Sequence, residues 1–476
     1  MIADLKPYPA MKDSGVPWLG EVPAHWELPR LGAVLRERGE TNDDGSVSDV
    51  LSVMRERGVI PYAEKGNVGN KRSDDITRYK VVRPDDIVVN CMNVIIGSVG
   101  LSRYTGCLSP VYYVLSRRSQ TDDPRYLNAY FQTKPFQLSL VRIGNGILAH
   151  RMRIPMELLK CEPFPKPPRE EQAAIVRFLD HADRRIKRYI RDKQKLIKLL
   201  EEQKQAIIHR AVTRGLDPNV RLKSSGVEWL GEVPEHWDVV QLRRRWEVVD
   251  CKHLTVPFVI EGVPLASVRE VQSFELDLAT SKRTTPEWHT HLISGRRVPK
   301  RGDLVYCRNV SVGACAFVNS DEQFAMGQDV CLIRSEAENG RFLNYFMHSS
   351  AMQQQLSLVL IGSTFNRINV SEIKSLLIAV PPRDEQDAIA SDLDSKVANF
   401  ENPIGVARDE ISLLREYRTR LIADVVTGNL DVRAAAARLP DEADESEPLD
   451  DAEVLAEGDE ETEGTDLDAV TEEAEA

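Results

Sequence analysis

The chain has seven cysteines and no Cys-x-x-Cys pair, so neither a disulfide framework nor a zinc knuckle organises it. Cys91, Cys107, Cys161, Cys251, Cys307, Cys315 and Cys331 read as buried thiols. No run approaches the roughly 20 apolar residues of a membrane span. The start, MIADLKPYPAMKDSG, lacks a basic region leading into an apolar one, so the expectation is a cytoplasmic protein with no membrane partner. A phosphate-cradling G-x-x-x-x-G-K-[ST] is absent, as is a G-x-G-x-x-G following a strand, which excludes nucleotide hydrolysis and dinucleotide chemistry by this chain. No Asn-Pro-Pro-aromatic or Asp-Pro-Pro-aromatic tetrad is present, so a methyl-transfer centre is missing too. No catalytic residue, metal or cofactor is therefore expected. His289 and His291 beside Glu287 read as exposed loop histidines, and Glu202 with Lys204 as the polar face of a helix.

Basic residues are missing from the C-terminal end: nothing after Arg438 is Lys or Arg, while Pro440 to Ala476 carries 18 acidic groups. The net charge of -12 is thus uneven, and residues 1 to 438 hold 62 basic against 56 acidic groups, a balance of +6. The body is mildly basic. Residues 434–476 read as a disordered, solubilising acidic tail.

What the chain does contain is a duplication. SGVPWLGEVPAHW (Ser14 to Trp26) returns as SGVEWLGEVPEHW (Ser225 to Trp237), with eleven of thirteen positions identical across a shift of 211. PPREEQAAI (Pro167 to Ile175) returns as PPRDEQDAI (Pro381 to Ile389), and Thr213, Leu216 and Asp217 return as Thr427, Leu430 and Asp431, both at a shift of 214. A solenoid repeats every 20 to 50 residues or so because each unit cannot bury its own core; a period this long makes each copy a domain. Trp18, Trp26, Trp229 and Trp237 could stack on bases or anchor a partner, but tryptophans at the same place in two domains are more often core.

Within each copy, Asp86 to Asn90, Val111 to Leu115, Asp303 to Tyr306 and Val330 to Ile333 read as strands punctuated by glycine turns. Tyr126 to Arg142 and Phe342 to Leu360 read as helical, sharing Leu-Asn and Gln-Leu-Ser-Leu. The clearest helix follows Pro167-Pro168: Ile175, Leu179, Ala182, Ile186, Tyr189, Lys193, Leu196, Leu200, Gln203 and Ile207 advance mainly in threes and fours, the seam of a supercoiled helix. Gly215 stops it after about 60 Å. The second copy supplies Ile389, Leu393, Phe400, Ala407, Ile411, Leu414, Tyr417, Leu421 and Val425, with Pro403 and Gly405 either kinking the helix or restarting it at Asn402. The expectation is an α+β chain of pseudo-two-fold organisation: two homologous α/β domains at 1–166 and 216–380, joined by long helices at 167–215 and 381–430 that pair as an antiparallel coiled coil.

The two SGVxWLGEVPxHW openings, the two PPRxEQxAI helix starts, the Thr-x-x-Leu-Asp ending after each helix and Gly362-Ser363-Thr364 before Ile368 together resemble the specificity (S) subunit of type I restriction-modification enzymes. The resemblance covers about residues 12 to 433. It implies two target-recognition domains, each reading one half of a split double-stranded DNA sequence. It also implies a non-catalytic role in phage defence. Two modification (methyltransferase) subunits would bring S-adenosylmethionine and methylate adenine N6, and restriction subunits would bring ATP- and magnesium-dependent translocation and cleavage. A modification-only system, or another DNA-defence assembly, using the same recognition role is the nearest alternative. A self-contained nuclease or methyltransferase is disfavoured by the missing motifs, and a scaffold indifferent to DNA is a third reading.

A half-site reader needs cations for phosphates and amides or guanidinia for base edges. Candidates for base reading are Arg142, Asn145, His150, Arg151 and Arg153 in the first copy, with Ser363, Thr364, Asn366 and Arg367 in the second. Candidates for the phosphate backbone are Lys71, Arg72 and Arg78, with Lys282, Arg283, Arg296, Arg297, Lys300 and Arg301. A solvated surface charge is the commoner fate of any one of them. Candidates for the helix-pair interface are Ile175, Leu179, Ile186, Leu196, Leu200, Ile207, Ile389, Leu393, Leu414 and Leu421.

Overall fold

Each copy opens with a hairpin whose turn is written in its glycines. Gly15 and Gly20, like Gly226 and Gly231, adopt positive φ, which only glycine does without strain. They fold Met11–Asp13 onto Glu21–Pro23 in the first copy and Leu222–Ser224 onto Glu232–Pro234 in the second. The structure, a computed structural model of the full chain, describes residues 5–55, 57–66, 71–146, 152–360 and 367–440.

The same four-stranded antiparallel sheet then forms twice. In the first copy the order is Leu35–Glu37, Tyr112–Arg117, Ile87–Asn90, Val99–Leu101. In the second it is Glu247–Asp250, Val330–Arg334, Leu304–Cys307, Cys315–Phe317. The segments between first and second strands differ. The first copy pairs Leu51–Met54 with Gly58–Pro61, whereas the second pairs Val263–Ala266 with both Arg283–Thr284 and Ala325–Met326 and adds a helix, Pro286–Leu292. His289 and His291 therefore lie on that short helix and not in a loop.

Helices Pro124–Phe131 and Gly340–Met347 dock each globule onto the start of its long helix by the same bonds. The Gln172 side chain accepts from the Asp123 amide at 2.9 Å and donates to the Pro167 carbonyl. Gln386 does the same for Asn339 and Pro381. Arg125 reaches Asp180 in the first copy; Arg341 binds Asp394 at 2.6 Å in the second, sandwiched against Phe274 and Phe317. The expected single helices end early, and Lys134–Ser139 and Ser350–Leu360 are separate pieces, because Thr133 and Ser349 turn their hydroxyls back onto the Tyr130 and Phe346 carbonyls.

The long helices run Arg169–Arg214 and Arg383–Val426. The second is not broken at Pro403, as the sequence allowed: the ring lies on the exposed side while Ile404 and Ala407 are buried. That burial offsets a proline penalty of about 3 kcal/mol.

Contacts divide the chain into two units that cut across the helices: residues 1–194 with 408–476, and residues 195–407. Each unit holds the start of one helix and the end of the other. In the first, Ile175, Val176, Phe178, Leu421 and Val425 join one core with Trp26, Tyr126 and Phe131. In the second, Ile389, Leu393, Ile208 and Val212 join Trp237, Phe342 and Tyr345. Trp26 and Trp237 are fully buried, and Trp18 and Trp229 pack beside them, so the tryptophans are core.

Ion pairs order the helices antiparallel within the first unit: Asp183 meets Arg418 and, further along, Lys193 meets Glu410 at 2.5 Å. Burial alone would raise the Asp183 carboxyl, but Arg418 and Lys187 outweigh it and hold it low. In the second unit Lys204 meets Glu401 at 2.7 Å. The seam differs from the heptad reading. Ala182, Ile186 and Ile190 are buried, whereas Leu196 is exposed and Leu200 and Ile207 are half-buried. Successive steps of four rotate the apolar stripe by about 40° each, carrying it off the position a 3.5-residue repeat assigns. Leu414 and Leu179 are half-buried, and Ile175, Ile389 and Leu393 serve the globule cores.

The tail begins later than residue 434. Arg433–Ala437 is helical, as an alanine run favours, and buries Ala436 and Leu439. Arg177 holds the Leu439 carbonyl at 2.8 Å and the Pro440 carbonyl at 3.1 Å.

Candidate nucleic-acid interface

In each copy the hairpin between the third and fourth strands of the four-stranded sheet, in the order given above, runs past an arginine at the equivalent place. The strand Ile87–Asn90 leads into Cys91, Met92 and Asn93, and the Cys91 carbonyl accepts from the Ile154 amide at 2.9 Å. In the second unit Leu304–Cys307 leads into Arg308, Asn309 and Val310, and the Arg308 carbonyl accepts from the Ile368 amide at 2.9 Å. The residue before each isoleucine is an exposed arginine, Arg153 or Arg367. Arg153 exchanges both backbone hydrogen bonds with Asn145, at 2.9 Å each, and Arg367 bridges Asn309. Each site thus sets an arginine beside an asparagine. Arg153 also lies by the Cys91 thiol, which burial pushes up and Arg153 pulls back.

The other base-reading candidates divide. Arg142 forms a two-pronged pair with the buried Glu162, at 2.5 and 3.3 Å, so its guanidinium is tied to the globule. Burial raises the Glu162 carboxyl and Arg142 opposes it. His150, Arg151, Ser363, Thr364 and Asn366 lie outside the described residues.

Of the backbone candidates, Lys71, Arg72, Arg78 and Lys300 are exposed. Lys282 covers the Phe258 ring at 4.4 Å. Four others have structural partners: Arg283 donates to the Gly262 carbonyl, Arg296 pairs with Glu247, Arg297 donates to the Asp250 carbonyl, and Arg301 pairs with Asp321. Exposed ion pairs contribute little to stability and can be exchanged for a phosphate. Arg283 and Arg297 are half-buried donors that hold loops.

Sequence reasoning missed the two hairpin tips and the cluster under the second. Asp250, Cys251 and His253 bring three ligand-type atoms within 4.8 Å of one another. Arg308 reaches two of them, donating to Asp250 and lying 3.2 Å from His253 Nε2. A fixed guanidinium there opposes a cation, so the donor set suits a braced arginine better than a metal. Among the described residues, no helix is long and apolar enough to cross a membrane.

Residues 280–402 match the family model described as the type I restriction modification DNA specificity domain, a span within the second copy. The chain is 24% identical over 426 residues to the type I restriction enzyme MjaVIII specificity subunit of Methanocaldococcus jannaschii, covering 87% of this chain and 94% of that one. It is 22% identical over 430 residues to the putative MjaX specificity subunit of the same organism, with 87% and 96% covered. A solved chain from a study of complex assembly and conformational transition in the type I R-M system shares the fold, with a TM-score of 0.64 at 16% identity over 86% of this chain and 99% of that one. The motifs recur in both copies, and the likeness to type I restriction enzyme specificity subunits spans both, at 22 to 24% identity over 87% of the chain.

Proposed function

We propose that this chain reads a bipartite double-stranded DNA site, one half with each globule. Two modification subunits, carrying S-adenosylmethionine, and ATP- and magnesium-dependent restriction subunits assemble on it in the cytoplasm. The observation that carries this reading is the tip-and-arginine constellation built twice, at Arg153 and at Arg367, on the same sheet order. Two similar readers with different side chains suit two half-sites of different sequence. Phosphate contacts from exposed Lys71, Arg72, Arg78 and Lys300 would supply the salt-sensitive part of affinity.

The long helices act as the spacer in this proposal. One heptad inserted into each lengthens the pair by about 10 Å, or about three base pairs. Long-read mapping of methylated adenines, in a host with the chain, without it and with the lengthened version, tests both parts. The expected result is a split motif that vanishes with the chain and whose gap widens with the insertion. A methylome indifferent to the chain would refute the reading, and an unchanged gap would refute the spacer.

A further inference from the structure

Four non-glycine residues among those described have positive φ: Asp85, His253, Val310 and Asp329. Three of them meet at Arg308. His253 lies 3.2 Å from its guanidinium, the Asp329 carbonyl accepts from its amide at 2.8 Å, and Val310 stands two residues along the chain. Arg308 is itself 5% exposed, and its Nε is buried without a partner among the described residues. Backbone strain of this kind persists only where the surroundings over-determine it, and it gathers at functional sites.

Val310 is the sharpest case. A β-branched residue rarely tolerates φ of +64°, and this one is 71% exposed, so its own burial does not offset the strain. The tip is held by a three-residue turn. Ser311 donates to the Asn309 carbonyl at 2.8 Å, Asn309 Oδ1 accepts from the Val310 amide at 3.0 Å, and Cys307 Sγ donates to the Asn309 carbonyl at 3.0 Å. Asn309 is also the residue bridged to Arg367. A braced base, a rigid turn and an outward apolar side chain sit beside an exposed arginine. The first tip also carries an exposed apolar residue, Met92, 40% exposed, one position earlier than Val310 in the matching order Cys91, Met92, Asn93.

We propose that Val310 is a specificity-determining residue for the second half-site, presented by the Arg308-braced turn as an apolar contact to a thymine 5-methyl group in the major groove, with Met92, one position earlier on its own tip, as the apolar contact of the first. The inference rests on the DNA-reading role proposed above and extends it from the arginines to the tips. The thymine methyl is the apolar feature of the major groove, while arginine takes guanine acceptors or phosphate, so the two side chains read complementary chemistry.

The test is selection from randomised duplexes by the full chain with its modification subunits, comparing wild type, Val310→Gly, Val310→Asn and Met92→Ala. Glycine and asparagine both accept the left-handed backbone, so neither substitution disturbs the turn, and the thermal transition stays at or above the wild-type value. The expected result for either Val310 variant is an about five- to tenfold loss of discrimination at one A·T pair of one half-site. The other half, and binding to a non-specific duplex, stay unchanged. Met92→Ala produces the mirror effect. Wild-type preferences at every pair for both Val310 variants would overturn the inference and leave the DNA reading intact. A wild-type complex that enriches no split sequence would overturn both.

Discussion

The two units use one latch, tightened differently. In the first, Glu171 is 5% exposed and accepts from Tyr8 Oη at 2.5 Å and Trp26 Nε1 at 2.9 Å, with His25 Nε2 at 2.8 Å. In the second, Glu385 is 28% exposed and, among the described residues, meets the matching pair alone, Trp237 Nε1 at 3.1 Å and His236 Nε2 at 2.8 Å. The difference follows from connectivity. The end of the first long helix runs directly into the opening motif that it packs against, where Gly215 lies against Trp237 and Glu385. The end of the second packs against an opening motif from the other end of the chain, where Gly428 lies against Pro23 and Trp26. Non-covalent contacts stand in for a peptide link there. Lys6 bridges Asp431, and Arg433 covers the Tyr8 ring at 5.0 Å. Burial, and then Glu171, push the Tyr8 phenol far up, so it remains a donor.

Removing the carboxylates breaks this comparison most severely. Glu171→Ala strands the buried Tyr8 and Trp26 donors and frees the exposed His25, and is expected to destabilise the first unit by about 3 kcal/mol, against about 1 kcal/mol in the second for Glu385→Ala. Hydrogen exchange followed unit by unit gives both numbers, and equal losses would show that the extra contacts in the first unit carry no energy. Tyr8→Phe sharpens the point: it costs about 1 kcal/mol, confined to the first unit, and a loss shared by both units would contradict a local clasp.

The smallest effect is in pH. Burial lowers His209, which lies 2.9 Å from Ser350 Oγ, and His348, which packs on Phe274; Arg214 and Lys204 respectively add to the lowering. Both residues lie in the second unit. The unfolded chain therefore binds more protons below pH 6.5 or so, and the second unit keeps this stability above that pH and loses it as pH falls through the depressed folded values. Replacing both histidines by glutamine should flatten the urea midpoint of the second unit between neutral and mildly acid pH. A slope unchanged by the replacement would place the sensitivity elsewhere.

Much of the architecture was legible because it was written twice. Glycine turns, proline-started helices and paired tryptophans each have a local cause that a repeat makes visible. What escaped was tertiary. Glu171 looks like any acidic residue in a first helical turn until Trp26, 145 positions earlier, is placed against it. Arg308 and Val310 carry no motif, and their role shows only in backbone angles and burial. Leu196 fits a heptad on paper yet faces solvent, since straight helices drift from a 3.5-residue period. The backbone candidates, grouped by charge, sit in segments of different topology: Lys71, Arg72 and Arg78 follow the hairpin of Leu51–Met54 with Gly58–Pro61, whereas those of the second copy flank Arg283–Thr284 and the helix Pro286–Leu292.

The most direct measurement is the methylated motif in hosts carrying Arg153→Ala, Arg367→Ala or Arg72→Ala in place of the wild-type chain. The account predicts that the first two each relax bases in a different half of the split sequence, while Arg72→Ala lowers methylation evenly and flattens its salt dependence in vitro. Arg153→Ala and Arg367→Ala altering the same half, or all three behaving alike, would contradict a division of reading between the two copies.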